Sequence, residues 1–90
     1  MSQLVRLMMH IIKWQIHPDR RSRSRALKIL YSRYEIEDIQ EEIPGLNRQY
    51  IESIRDKAFS RAKFFAEKET VIKTDAVEEL SWEDVYEKEY

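Results

Sequence analysis

Apolar residues crowd the first sixteen positions of this chain: Leu4, Val5, Leu7, Met8, Met9, Ile11, Ile12, Trp14 and Ile16 leave room for only one polar stripe. Placed at about 100° per residue, that stripe consists of Gln3, Arg6, His10, Lys13 and His17. The pattern predicts a helix capped by Ser2 and running to about Ile16, apolar over roughly two thirds of its circumference. A surface helix of a small domain shows a narrower apolar face, so this one calls for neighbours on more than one side. His17 and Pro18 close it, because proline disfavours the α conformation in the residue before it.

A second helix is expected from Ser22 or Ser24, either of which can accept a free first-turn N–H, to the residues before Pro44 and Gly45. Its apolar residues fall on opposite faces. Leu27, Leu30, Tyr31 and Tyr34 form one stripe, and Ile29, Ile36, Ile39 and Ile43 the other, so it is expected to meet different neighbours at its two ends. A third helix, capped by Asn47, runs to about Thr70 with Ile51, Ile54, Ala58, Ala62, Phe65 and Ala66 at helical spacing, a length of roughly 35 Å. Residues 71–80 carry no period and read as a connection. Ser81 and Asp84 resemble a capping box ahead of a short helix whose face is Trp82, Val85, Tyr86 and Tyr90. The expected architecture is an all-α bundle of three main helices plus a short C-terminal helix, in one domain spanning residues 1–90. Its expected core includes Trp14, Leu27, Tyr31, Ile54, Ala58 and Phe65.

Composition supports the all-α reading, since one glycine and two prolines leave little turn chemistry while 37% of residues are charged. The absence of cysteine excludes a disulfide framework, a thiolate metal site and a thiol nucleophile. The longest apolar run falls short of the roughly 18 residues that span a bilayer, and no membrane partner is expected. The formal net charge is −1, but its distribution is uneven: eight Lys/Arg against Asp19 in residues 1–34, and three against nine acids in residues 66–90. A basic half is followed by an acidic tail.

The candidate chemistry sits where the first helix breaks. Arg20, Arg21, Arg23 and Arg25 crowd the start of the second helix, where the free N–H groups and the macrodipole favour anions and each exposed cation costs roughly 0.3–1 kcal/mol. Their anion is a phosphate, a nucleic-acid backbone or a protein carboxylate. With Arg6, His10 and Lys13 they form a candidate anion-binding or partner-binding set, for which the acidic tail is the nearest supply of carboxylates in the chain. Met8, Met9, Trp14 and Phe64 are the interface candidates. His10 and His17 share one face, but Arg6 and Lys13 beside them repel a cation, so no metal and no cofactor are expected. No catalytic constellation is apparent; an enzyme binding an anionic substrate through Lys13, Trp14 and the arginines is the third reading. The leading one is an interaction module that self-associates or binds a partner chain, followed by a nucleic-acid-associated accessory protein using residues Arg20 to Arg25.

The run HIIKWQIHPDRRSRSR, the turn PGL, the segment AFSRAKFFAEKET and the closing SWEDV together resemble the bacterial family known as domain of unknown function 29, over essentially the whole chain. The resemblance implies an all-helical fold and a cytoplasmic setting, and brings no established activity. It also implies an aromatic residue where Arg25 stands, a glycine where Val71 stands, a proline- and cysteine-containing segment in place of residues 76–80, and further residues ahead of Ser2 that include an acidic helix. By that comparison the chain is expected to be short at its N-terminus.

Overall fold

The computed structural model describes residues 2–90; Met1 and the side chain of Ser2, with its expected capping contact, lie outside the described residues. The elements are α1 (Ser2–Ile16), a 3-10 turn (Pro18–Arg20), α2 (Arg23–Glu42), α3 (Arg48–Thr70) and α4 (Trp82–Tyr86). Each boundary has a local cause. The amide of His17 still donates to Lys13 O at 3.1 Å, but Pro18 has no N–H with which to continue the ladder. Of the two candidate caps for α2 it is Ser22 that serves, its Oγ accepting from the Arg25 amide at 3.2 Å. Pro44 stops α2, and the amide of Leu46 closes the turn onto Ile43 O at 2.9 Å. Asn47 Oδ1 accepts from the Tyr50 amide at 3.0 Å and starts α3. Ser81 and Asp84 bond reciprocally at 3.0 Å, the expected capping box.

Helix α3 ends on Val71, held at φ 59°, ψ 23°. A β-branched residue in this left-handed region is strained by on the order of 1–3 kcal/mol, and glycine is the residue that relieves it. The backbone therefore has the conformation that a glycine would suit. The carboxylate of Glu67 then secures the following loop, accepting from the Thr74 amide at 2.9 Å and the Thr74 hydroxyl at 2.8 Å. These two donors hold the Glu67 carboxyl below its usual range. Residues 71–80 form an irregular connection, yet Thr74, Val77 and Leu80 along it are buried.

Helix α1 is the centre of the molecule, as its broad apolar surface led us to expect. Leu7, Met8, Ile11 and Ile12 are fully buried, and the principal packing is of α1 against α2 and against α3. The shared cleft of Leu4 with Ile36 and Ile39, and the Arg6–Glu35 pair, set α2 antiparallel to α1. Leu4 near Ile51 and Ile54, with Lys13 paired to Glu69, sets α3 parallel to it. The α3 seam is built from Ile51, Ala58, Ala62 and Ala66, all buried, and the three alanines are small enough to let α3 approach α1.

Two expected core residues are not core. Tyr31 is 57% exposed, because α2 turns its Ile29–Ile36 face inward and presents Leu30, Tyr31 and Tyr34 to the outside. Of the outward face only Leu27 is partly buried. Phe65 is 46% exposed although its helical phase matches the alanine seam. At its level α1 covers only part of α3, and Phe65 stands at the margin of that contact. Trp14, Leu27 and Ile54 are partly buried, and Ala58 is buried as expected.

Candidate interaction surface

Two cations of the polar stripe of α1 find carboxylates on the neighbouring helices, one of which, Glu69, belongs to the acidic segment 66–90. Arg6 pairs with Glu35 of α2 at 3.6 Å, and Lys13 with Glu69 of α3 at 3.3 Å. Between them His10 is half-buried. Burial first, then the nearby charges of Lys13, Lys28 and Arg6, push its pKa down to about 4 against the opposing pull of Glu69. The ring is neutral at neutral pH. Further along, Nδ1 of His17 is enclosed without a hydrogen-bond partner. Among the described residues no group of three or more His, Cys, Asp or Glu side chains is placed to hold a metal ion.

The four arginines at the α1–α2 junction have different fates. Arg21 donates through Nε to Trp14 O at 2.9 Å and lies over the Trp14 ring at 5.3 Å, using a carbonyl freed at the end of α1. Trp14 is also covered by the edge of Tyr90, at 5.8 Å between ring centroids. Nη1 of Arg25 is enclosed and unpartnered. Arg20 and Arg23 are exposed, and none of the four forms an ion pair among the described residues.

Two other arginines carry the interior polar network, and reading the sequence missed both. Arg33 is 9% exposed and donates to Val85 O at 2.6 Å and Asp84 O at 3.0 Å, with its guanidinium 5.4 Å from the Tyr90 ring. Arg55 donates to Leu80 O. The signal was present in the spacing: Arg33 lies four residues after Ile29 and three before Ile36, and Arg55 four after Ile51, all on inward faces. Tyr86 is a further buried polar group. Its hydroxyl has no partner, and burial pushes its pKa up to about 12, so it is no acid at neutral pH.

A groove of about 560 Å³ lies between α1 and α3. Val5 and Met9 form one wall, Phe64 and Phe65 the other, and Arg6 and Arg61 stand at its edge. The two phenylalanine rings meet edge to face at 5.6 Å, and Lys68 lies over Phe64 at 5.3 Å. Its edge is cationic and its floor apolar. Of the interface candidates, Met9 and Phe64 line this groove, Trp14 is covered by Arg21 and Tyr90, and Met8 is fully buried in the core. Met8 therefore offers no surface to a partner.

The family model described as domain of unknown function DUF29 matches residues 1–90, and the chain belongs to that family. Neither the curated proteins nor the solved structures contain a match to it. No helix among the described residues is long and apolar enough to cross a membrane.

Proposed function

We propose that this protein is an interaction module whose α1–α3 groove receives an amphipathic helix of a partner protein, one carrying acidic residues beside its apolar face. The observation that carries this reading is the groove itself: Phe64 and Phe65, both exposed, face Val5 and Met9 across an apolar floor with Arg6, Arg61 and Lys68 around it. Grooves of this kind take helices through anchors at i, i+3, i+4 and i+7. Two or three leucine-sized anchors contribute about 1.5–3 kcal/mol each, against a loss of rigid-body freedom of similar size. Binding would be weak and reversible. Its charge preference would come from the cationic edge.

Selection from a displayed library of amphipathic helices tests the reading. Enriched helices should bear Asp or Glu beside the apolar face, should be lost on Phe64→Ser and Phe65→Ser, and should switch to Lys or Arg with Arg6→Glu and Arg61→Glu. Enrichment that ignores all four substitutions overturns it.

A second reading, nucleic-acid association, is favoured by one observation: Arg20 and Arg23 are exposed with no carboxylate partner among the described residues. It requires binding to duplex DNA or RNA that weakens steeply with salt, log K falling by about 0.9 per phosphate neutralised on DNA, and that disappears with Arg20→Gln and Arg23→Gln.

A further inference from the structure

The outward stripe of α2 combines two features that the groove does not explain. Leu30, Tyr31 and Tyr34 are exposed, with Leu27 partly buried beside them. Helix α2 is also electrically split along its length. Residues 23–33 carry Arg23, Arg25, Lys28 and Arg33 with no acid, and residues 35–42 carry Glu35, Glu37, Asp38, Glu41 and Glu42 with no base. At about 100° per residue, Arg23 lies at one end of the apolar stripe and Glu37, Asp38 and Glu41 at the other, all exposed. Both ends carry the sign that opposes the macrodipole: no acid stands in the first turn and no base in the last.

We propose that this stripe is a two-fold interface on which a second copy of the same chain docks, the two α2 helices running antiparallel. Charge selects that occupant and that direction. A parallel pair would set arginine on arginine and glutamate on glutamate; an antiparallel pair sets the basic half of each helix against the acidic half of the other. The polarity also brings carboxylates to a helix N-terminus that lacks them and guanidinium groups to a C-terminus that lacks cations. With the axis between Leu30 and Tyr31, Leu30 meets Tyr31 of the second copy, Leu27 meets Tyr34, and Arg23 meets Asp38. The contact is isologous and closed, so it yields a dimer and not a filament. Beside the stripe, a cleft of about 400 Å³ between α2 and Tyr90, lined by Arg23, Leu27, Leu30 and Arg33 among others, gives the incoming Tyr34 ring a place. One helix face per copy is a small interface, so the dimer is transient and concentration-dependent. This inference does not rest on the groove reading, since it uses a different face of the molecule.

Sedimentation velocity across a concentration series, at low and high salt, reads the outcome. The wild-type chain should shift from monomer to dimer with concentration, and less so at high salt, where screening acts over about 3 Å at 1 M. Leu30→Ser with Tyr34→Ser should abolish the dimer and lower the melt of the dilute protein by no more than several degrees, leaving it folded. Arg23→Glu alone and Asp38→Lys alone should each weaken self-association at least tenfold. Combining Arg23→Glu with Asp38→Lys should restore it, because only in the antiparallel arrangement do the two positions face each other. A monomer at every concentration overturns the proposal, and so does a dimer that tolerates Leu30→Ser with Tyr34→Ser. A double charge variant as weak as the singles overturns it too. A dimer lost on Phe64→Ser and Phe65→Ser instead would make the second copy an occupant of the groove and end this assignment. Running the helix-library selection on the Leu30→Ser, Tyr34→Ser chain keeps the groove reading testable whatever the mass shows.

Discussion

The two faces of α2 have nearly reversed the usual arrangement. The inward one buries Ser32 and Arg33 together with Ile29 and Ile36, while the outward one leaves Leu30, Tyr31 and Tyr34 exposed. Counting apolar residues would not choose between them, since each stripe has four. What decides is the demand of the main chain that the helix packs against. Helix α4 has five residues, so most of its carbonyls lack an intrahelical partner. Glu83 O is taken by the amides of Glu87 and Lys88, at 2.9 and 2.8 Å. Asp84 O and Val85 O are left for side chains, and Arg33 supplies both bonds while the Tyr90 hydroxyl reaches Asp84 O at 2.8 Å. A buried carbonyl without a donor costs about 1–3 kcal/mol. A forked cation on α2 is therefore worth more inside than another leucine.

Deleting apolar bulk from the inner face should separate the two sides most widely. Ile29→Ala is expected to cost about 2–5 kcal/mol, because the site is closed by α1 and cannot collapse. At roughly 4–8 °C per kcal/mol for a domain of this size, the melting temperature should fall by ten degrees or more. Leu30→Ala, one residue away but outward, should move it by a few degrees at most. Similar losses for both would mean that the inner and outer faces had been confused.

Removing the polar half of the inner face should come next in size. Arg33→Met preserves length and apolar stem but strands the carbonyls of Val85 and Asp84, for an expected loss of about 1–3 kcal/mol. Arg33→Lys should recover little, since one ammonium does not reproduce two bonds held at fixed angles. The readout that separates this from a general weakening is amide exchange. Residues 82–90 should lose protection first while α1 keeps its own, whereas uniform loss would assign Arg33 a packing role only.

Acid should act through the flank of the inner face, where Lys28 of α2 looks toward His10. The folded-state pKa of His10, about 4, lies below the ordinary 6.5, so the unfolded chain takes up the proton first as pH falls. The stability held above about pH 6.5 is then lost progressively toward pH 4, on the order of 1–2 kcal/mol once screening of a half-buried ring is allowed for. Melts at pH 7 and pH 5 should differ in the native chain and differ less in His10→Gln. An equal drop in both would place the sensitivity among the carboxylates.

Helix limits were legible because each is set within a few residues: Pro18, Ser22, the Pro44–Gly45 turn, Asn47 and the Ser81–Asp84 box act on their own neighbours whatever the rest of the chain does. That α1 needs neighbours on more than one side was legible too, from its broad apolar surface; that α2 and α3 of the same chain supply them was not. The faces of α2 were not. Their choice depends on unpaired carbonyls that arise some fifty residues later, when the connection after α3 returns across the helices. Phe65 was misread for a related reason: its phase is right, but phase does not tell whether α1 extends far enough around α3 to cover it. The arginine cluster was visible as charge, whereas its division into a bound Arg21 and exposed Arg20 and Arg23 followed from where the carbonyl of Trp14 points.

The smallest expected effect tests the comparison most directly. Tyr31→Gln removes the most exposed aromatic ring of the outer face and puts a stronger helix former in its place. In dilute solution the stability should stay within about 0.5 kcal/mol of the native chain's, the range for a surface change that breaks no packing or hydrogen bond. A loss above that range would show Tyr31 packed against its own chain, and the outer face would then be a second inner one. Concentration supplies the other half of the argument. A chain that pairs through this stripe gains apparent stability by mass action, so its melting temperature should climb as protein is added. In Tyr31→Gln that climb should flatten while the dilute value stays put, a combination that neither a destabilised core nor a passive surface residue produces.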